Sequence, residues 1–302
     1  MEPRRVTRPV GLFVGLCTLD VIQLVDHVPA SDEKLTAREQ TVAAGGPATN
    51  AAVTFAHLGG TATLLTAIGS HPLAPAVTAD LDRAGVTVSD LAPHSADPPA
   101  VSSIMVTAAG GQRAVVSTNA AAHRLAPPGG LDAQVAACDI VQLDGHHMAL
   151  ATATARAARA AGRRTVLDAG SWKPGTVRLL PHIDVAVCSA DFHPPGSDRS
   201  PDGTLRFLRG QGVAWAAVTR GGQPLVWAGP DGGGTIEVPA VPVADTLGAG
   251  DVLHGALTHH LAGQRQLTEE QFVRALRAAA LVASESCTSF GTRSWMRRPG
   301  SP

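Results

Sequence analysis

Short apolar runs alternate along the chain with alanine-rich segments of helical length. Compact apolar runs are typical of strands buried on both faces, and the longer segments, each followed by glycine or a polar residue, indicate helices. Strand followed by helix, repeated, predicts an α/β fold: a doubly wound, mostly parallel sheet flanked by helices. The predicted strands are 10–16, 62–68, 139–143, 165–167, 183–188 and 214–218, and the predicted helices are 48–58, 74–84, 149–161 and 204–211.

Two regions depart from this alternation and have the pattern of strand pairs. The second pair is joined by Ala109-Gly110-Gly111, which is a favourable hairpin turn. Both pairs predict a small β-sheet lid inserted into a single α/β domain that spans 1–302. The lid segments are about 20–43 and 100–119, with strands at 21–28, 34–43, 101–107 and 112–118.

Composition narrows the classes of function. Hydrophobic residues make up 44% of the 302 residues, charged residues 16%, and the net charge is −1, so a large core forms and no basic surface for nucleic acid or membrane is expected. Aromatic residues are only 3% and tyrosine is absent, which disfavours base stacking. The four cysteines form no CxxC pair, which fits a reduced compartment. Asp20 interrupts the apolar stretch near the start, which disfavours a signal peptide. We expect a reduced, cytoplasmic protein.

A glycine-rich segment precedes the most strongly patterned helix. Leu253, Leu257 and Leu261 recur at helical spacing, which predicts a helix that begins near Gly248 and buries this stripe. The first N–H groups of a helix have no internal partners and carry the positive end of its dipole, and residues without bulk let an anion approach them. Asp251, one turn in, places a carboxylate beside this anion site.

This arrangement matches the needs of phosphoryl transfer, in which negative charge is stabilised while a base takes the proton of the attacking hydroxyl. The alternative is a glycine-rich loop whose aspartate merely compensates the helix dipole. Asp245, six residues before Asp251, and the strand-turn-helix context favour phosphoryl transfer.

Two segments resemble the signatures of one family. The run Asp-Thr-Leu-Gly-Ala-Gly-Asp at 245–251 resembles the DTxGAGD signature of the ribokinase-like (PfkB) carbohydrate kinases. The run Ala-Gly-Gly-Pro-Ala-Thr-Asn-Ala-Ala at 44–52, followed by Leu58-Gly59-Gly60, resembles the family's other signature. They occur in the expected order, and the similarity extends from about residue 11 to about residue 291.

The resemblance implies an α/β fold with a β-sheet lid, ATP as the phosphoryl donor, Mg²⁺, and a sugar or sugar-like hydroxyl as the acceptor. Asp251 matches the family's catalytic base, and the backbone N–H groups of Gly248, Ala249 and Gly250 match its anion hole. Asp245 matches a position near a structural monovalent cation, usually potassium.

The acceptor site is expected at the carboxyl end of the first strand and the start of the first helix. Asp20 follows that strand, and a carboxylate there can accept two sugar hydroxyls; Gly45 and Gly46 can expose N–H groups, and Asn50 offers a donor and an acceptor. The family has a sugar-binding aspartate matching Asp20, and related sugar kinases have an arginine matching Arg113 in the lid. A solvated Asp20 and an exposed Arg113 remain the alternatives.

The nucleotide side departs from the family pattern. Many members have an N-x-x-E motif that organises Mg²⁺, but here Ser189 stands in place of the asparagine and no glutamate follows at that spacing. Asp191 is the candidate substitute, and Asp168, after another strand, resembles a family aspartate close to the metal and triphosphate. This stretch resembles the ketohexokinase side of the family more than ribokinase itself.

A loop after a further strand completes the predicted nucleotide site. Thr219, Arg220 and Gly221 resemble the family's TxGxxG loop, although Pro224 replaces its second glycine. Arg220 is a candidate for contact with the triphosphate, with an ordinary surface arginine as the alternative.

We therefore expect a sugar kinase that binds ATP and a small-molecule sugar, without nucleic acid or membrane partners, and that forms a homodimer through the lid. A nucleoside kinase of the same family is one alternative, disfavoured by the low aromatic content. A catalytically silent sugar-binding regulator is the other, because the usual asparagine and glutamate are missing.

Overall fold

The computed structural model describes residues 8–119, 124–264 and 266–297. Within them the chain forms thirteen strands and eight helices. The strands are β1 Val10–Val14, β2 Thr18–Val25, β3 Glu39–Gly45, β4 Thr61–Thr66, β5 Val86–Asp90, β6 Ala100–Thr107, β7 Arg113–Ser117, β8 Ile140–Leu143, β9 Arg164–Ala169, β10 Val185–Ser189, β11 Trp215–Arg220, β12 Gln223–Ala228 and β13 Gly233–Ile236. The helices are α1 Pro47–His57, α2 Ala74–Arg83, α3 Leu131–Ala136, α4 Met148–Ala160, α5 Thr176–Leu179, α6 Pro201–Gly210, α7 Ala249–Leu261 and α8 Glu269–Ser286.

Nine strands form one large sheet in the order β13-β12-β11-β10-β9-β8-β1-β4-β5. All neighbours from β11 to β5 pair in parallel, and β12 and β13 add an antiparallel edge. The carboxyl ends of the parallel strands therefore share one edge, where ligands bind in sheets of this kind. The prediction of a mostly parallel, doubly wound sheet is confirmed.

The core lies on both faces of this sheet. Consecutive strand residues point to opposite faces, so that Phe13 and Leu64 pack in one apolar cluster with α1, α2, α7 and α8, while Leu12 and Leu65 pack in the other with α3 to α6. Strands buried on both faces read as continuous apolar runs, which is why they were visible in the sequence.

The second sheet, which we call the lid, has the order β3-β2-β6-β7. The predicted turn at Ala109-Gly110-Gly111 connects β6 and β7, where the Thr107 N–H donates to the Gln112 carbonyl at 2.8 Å. Its inner face buries Ile22, Ile104 and Val106, with Leu247 and Phe290 packed against them. The lid thus rests on the loop that precedes α7.

Two lid boundaries differ from the prediction. Strand β2 begins at Thr18, three residues earlier than predicted, so Asp20 lies within a lid strand and not just before it. Strand β3 begins at Glu39, five residues later than predicted, and the segment before it is irregular. The structure also contains β5, β12, β13, α3, α5 and α8, which the sequence pattern did not predict.

Helix α7 is fixed by contacts at its C-terminus and along its length. The Arg164 guanidinium of β9 donates to the carbonyls of Leu261 and Gln264 at 3.2 and 2.5 Å, which satisfies orphan groups at the helix C-terminus. Gly255 lies against α1, where a Cβ at this position would be 2.8 Å from Thr54 Cβ and closer still to the Ala51 carbonyl oxygen. The two helices therefore approach each other at a position that only glycine fits.

No helix among the residues described is long and apolar enough to cross a membrane.

We expect Gly255→Ala to destabilise the fold by about 1–3 kcal/mol, because the added methyl group must push α1 and α7 apart. Gly210→Ala in α6 is the matched control: nothing lies within 4 Å of a Cβ there, so the change should be neutral or slightly stabilising. Urea unfolding of the two variants measures the difference, and equal stabilities would contradict the close helix contact.

Candidate active site

A cleft of about 270 Å³ lies between the lid and the start of α7. It brings together most of the predicted acceptor residues and the whole glycine-rich helix start, which are far apart in sequence. Its volume is below the range of about 300–1,000 Å³ typical of sites for drug-sized ligands. The lining residues are Leu16, Thr18, Asp20, Gly46, Pro47, Asn50, Ser102, Ile104, Arg113, Val115, Ser117, Asn119, Thr246, Leu247, Gly248, Ala249, Gly250 and Asp251.

The start of α7 presents open N–H groups to the cleft. Gly248 has φ 73°, the left-handed conformation that glycine adopts without strain, and this turns the chain into the helix. The Ala249 N–H donates to the Thr246 carbonyl at 3.3 Å. Within the described part of the chain, the N–H groups of Gly250 and Asp251 have no acceptor, and no atom lies within 4 Å of a Cβ at Gly250. An anion can therefore reach both groups.

The Asp251 carboxylate lies beside these N–H groups and is held by one hydrogen bond. The Asn50 amide nitrogen donates to Asp251 Oδ2 at 2.8 Å. Burial and the nearby Asp168 carboxylate raise the pKa of Asp251 to about 7, against the opposing effects of Asn50 and His254. A carboxylate that titrates near neutral pH is suited to accept a proton from a hydroxyl.

Asp20 lies on the opposite wall of the cleft, in β2. Its side chain is buried, and the Thr18 hydroxyl donates to its Oδ1 at 2.6 Å. Burial raises its pKa, and hydrogen bonds from Thr18 and Ser102 oppose the shift. A Cβ at Gly45 would overlap the Asp20 carboxylate, so Gly45 provides space for it although it does not line the cleft.

The lid is linked to the loop before α7 by a pair of hydrogen bonds. Arg113 Nη1 donates to the Thr246 hydroxyl at 3.1 Å, and that hydroxyl donates to the Gly111 carbonyl at 3.1 Å. Arg113 lines the cleft and at the same time contacts the segment that carries the helix start. The hairpin turn of the lid is thereby fixed next to the open N–H groups.

The predicted nucleotide residues lie on two neighbouring strands outside the cleft. Ser189 and Thr219 are register partners at the ends of β10 and β11, and the Thr219 hydroxyl donates to the Cys188 carbonyl at 3.3 Å. The Arg220 guanidinium donates to the Pro224 carbonyl at 2.9 and 2.5 Å, so it closes its own turn around Gly221. Pro224 stands where the family loop has glycine, and it lacks an N–H. The Arg220 side chain stabilises the resulting turn.

The three candidate metal residues lie in different settings. Asp168, at the end of β9, is buried 3.3 Å from His254 Nδ1, and burial raises its pKa while His254 opposes the shift. Asp245 is buried and accepts from the N–H groups of Leu247 and Gly291 at 2.8 and 2.9 Å. Asp191 is exposed.

Among the described residues, no three His, Cys, Asp or Glu side chains are close enough to hold a metal ion together. Mg²⁺ usually binds one or two carboxylates together with substrate phosphates and does not require an all-protein cage. Asp168, a buried carboxylate near Asp251, has the chemistry to hold such an ion.

Two residues of this region were not predicted. The sequence places no carboxylate four residues from His254. In the structure its Nδ1 faces Asp168 of β9 and the Gly250 carbonyl, and its Nε2 faces the Val187 carbonyl. Arg293 follows α8, and its Nη1 donates to Asn50 Oδ1 at 3.0 Å. Both contacts join distant segments, so no local pattern could reveal them.

Comparison with known proteins decides the family. A model of the pfkB family carbohydrate kinases matches residues 12–298, nearly the whole chain. The chain belongs to this family. The prediction of a carbohydrate kinase of this family is thereby confirmed.

Solved structures of pfkB-like fold match almost the full chain. Ribokinase from Giardia lamblia has a TM-score of 0.83 at 16% identity, with 97% of both chains covered. Ribokinase from Arabidopsis thaliana, complexed with ribose and ATP, has a TM-score of 0.77 at 20% identity and covers 97% of this chain and 100% of its own. Fructokinase with bound ATP from Xylella fastidiosa has a TM-score of 0.77 at 21% identity and covers 96% of this chain and 95% of its own. At these identities the similarity establishes the fold.

A curated relative matches over a shorter segment. The 1-phosphofructokinase of Escherichia coli K12 is 34% identical over 79 residues, which is 26% of this chain and 25% of that protein. The match spans about a quarter of the length of such curated relatives.

The raised pKa of Asp251 predicts how pH affects stability. Between its ordinary value of 3.8 and about 7, the folded state binds more protons at this group than the unfolded state does, so stability falls as pH rises through this range. The Asp251→Asn variant does not lose this stability, because asparagine does not titrate. We expect its melting temperature, relative to the wild type, to rise from pH 4.5 to 7 and then level off in thermal unfolding.

Asp231→Asn, in the exposed turn between β12 and β13, is the matched acid-to-amide control and should show no such rise. A difference between Asp251→Asn and the wild type that does not vary with pH would contradict the raised pKa.

Proposed function

We propose that this protein is an ATP-dependent phosphotransferase that phosphorylates a hydroxyl group of a single sugar or sugar-like molecule. The observation that carries the proposal is one cleft that is lined by the Asp251 carboxylate, by the residues with open N–H groups and by a second, buried carboxylate, that of Asp20. Membership of the pfkB family and the fold shared with ribokinases and fructokinase support it.

In the proposed reaction Asp251 accepts the proton of the acceptor hydroxyl. The hydroxyl oxygen forms a bond to the γ-phosphorus of ATP as the bond between that phosphorus and the β–γ bridging oxygen breaks, and ADP leaves. The N–H groups at the start of α7 donate to the phosphoryl oxygens, whose charge they stabilise without reorganisation. The resemblance assigned this anion hole to Gly248, Ala249 and Gly250; we propose that the open N–H groups of Gly250 and Asp251 form it, while Gly248 and Ala249 make the turn that leads into the helix.

The acceptor is proposed to lie between Asp20 and Asp251. Asp20 accepts hydrogen bonds from sugar hydroxyls, Asn50 and the backbone around Gly46 orient the ring, and Arg113 closes the cleft from the lid. The small volume and the polar lining from both walls favour a single sugar over a nucleoside. Whether the chain lies nearer ketohexokinase than ribokinase stays a prediction.

The donor is proposed to bind over the ends of β10 and β11, beside Ser189, Thr219 and Gly221. Mg²⁺ would neutralise charge on the phosphates there, with Asp168 as its nearest carboxylate and Asp191 as a second candidate. Potassium is proposed near Asp245, whose carboxylate holds the loop before α7. We further propose that the chain acts as one domain with the lid inserted.

The proposal predicts that ADP is released from ATP and Mg²⁺ in the presence of one sugar within a panel of sugars, sugar acids and nucleosides. Asp251→Asn should lower kcat by roughly 10²-fold or more, because the proton acceptor is lost, while the variant still binds the acceptor. A coupled ADP assay and isothermal calorimetry measure the two effects.

Asp231→Asn serves as the control and should keep full turnover. Turnover by Asp251→Asn at the wild-type rate would refute the mechanism. A sugar that raises the melting temperature without stimulating ADP release would favour the silent sugar-binding regulator, and release with a nucleoside alone would favour the nucleoside kinase.

We also propose a homodimer formed by the outer faces of two lids. The register Val42–Val21–Ser103–Val116 sets one row across the face turned away from Asp20, and Val42 and Val116 are 45% and 71% exposed. Exposed valines in a sheet face favour burial against a matching surface.

Val116→Lys should shift the protein from dimer to monomer in sedimentation velocity, because a lysine cannot be buried there without a partner. Val177→Lys, at a similarly exposed valine of α5, should not change the dimer. A wild type that is monomeric at all concentrations would rule out the lid interface.

A further inference from the structure

Arg293 does not line the cleft and is largely buried. It follows α8, and its side chain is only 16% exposed. One arm of its guanidinium, Nη2, donates to the Ala44 carbonyl at 2.6 Å and contacts Asp80 Oδ2 at 3.2 Å. Asp80, which is also largely buried, accepts in addition from the Ala44 N–H at 3.0 Å. The guanidinium is thus held in place by groups outside the cleft.

The other arm reaches the residue that contacts the proposed base. Nη1 donates to Asn50 Oδ1 at 3.0 Å, and the Asn50 amide nitrogen donates to Asp251 Oδ2 at 2.8 Å. A continuous series of hydrogen bonds therefore runs from Asp80 through Arg293 and Asn50 to Asp251.

The chemistry of these groups allows only one orientation of the Asn50 carboxamide. A guanidinium has donors and no acceptor, so it must face the amide oxygen, and an ionised carboxylate has acceptors only, so it must face the amide NH₂. If the amide were flipped, donors would face donors at Arg293 and oxygen would face oxygen at Asp251. Both contacts would be repulsive in a poorly solvated site.

We propose that Arg293 is a positioning residue that fixes the Asn50 carboxamide and, through it, directs one oxygen of Asp251 toward the acceptor hydroxyl. With Oδ2 occupied by Asn50, Oδ1 is the oxygen left to accept the proton. This inference rests on the proposed function in its catalytic part, since it concerns how the base is held. Arg293 itself does not line the cleft and touches no reacting atom.

Arg293→Lys keeps a charge beside Asp80 but replaces the planar fork, and one ammonium group cannot reach both Asp80 and Asn50 in the same way. We expect kcat to fall about 10- to 100-fold, with the KM for ATP changed by less than about twofold, since the nucleotide site is untouched. Arg83→Lys is the matched control: Arg83 contacts the same Asp80 at 3.6 Å but is 74% exposed and does not reach Asn50. It should retain wild-type kcat.

A double-mutant cycle separates positioning from general support of the fold. In the Asn50→Ala background, Arg293→Lys should change kcat by less than about twofold, because the group through which it acts is gone. If the two effects multiply in full, Arg293 does not act through Asn50 and the proposal is wrong. Should Arg293→Lys be unstable, Asp80→Asn/Arg293→Met removes both buried charges together and is used in the same cycle.

A measurement without turnover distinguishes failure of this proposal from failure of the proposed function. The Asn50 carboxamide signals in a ¹⁵N–¹H spectrum are assigned by their loss in Asn50→Asp. They should shift in Arg293→Lys and stay in place in Arg83→Lys, even if no acceptor gives turnover. Unshifted Asn50 signals in Arg293→Lys would overturn the proposal.

Discussion

The candidate site depends on keeping the buried Asp251 carboxylate ionisable beside helix N–H groups that are open to an anion. Burial and the Asp168 carboxylate raise the pKa of Asp251 to about 7. An anion bound beside Asp251 would make its ionisation harder still. The positive end of α7 and the amide of Asn50 oppose this cost. The fold around the site can be understood as the means by which these compensating groups are brought within reach.

The groups that act on Asp251 come from several segments. Asn50, at the start of α1, and His254, one turn further along α7, oppose the raised pKa, whereas Asp168, near the end of β9, raises it. The close contact of α1 with α7 at Gly255 sets the distance between Asn50 on α1 and Asp251 on α7. Helix packing and site chemistry are therefore one constraint, because a small change in the helix separation moves the amide away from the carboxylate.

Local patterns sufficed for the fold and for the helix start, since doubly buried strands, the stripe of Leu253, Leu257 and Leu261, and the glycine run are all local. Helix α8 was not predicted, although Thr268 and Gln271 form a capping box at its start. Asp20 was predicted to lie between the first strand and the lid strand, but the lid strand begins two residues before it, at Thr18. The partners of Arg293 and Arg220 could not be inferred, because side-chain direction at a chain reversal depends on tertiary contacts that no spacing encodes.

The hydrogen bonds among Arg113, Thr246 and Gly111 join the lid to the segment that leads into the anion site. In the proposed function, a lid that closes over an acceptor would thereby favour one conformation of that segment, and an anion bound to the helix start would favour the same conformation. By thermodynamic linkage, each ligand then raises the affinity for the other by the same factor. The Thr246 hydroxyl would carry part of this coupling, together with the packing of Leu247 and Phe290 against the lid. In the proposed function, a sugar or a nucleotide alone would therefore bind more weakly than the pair.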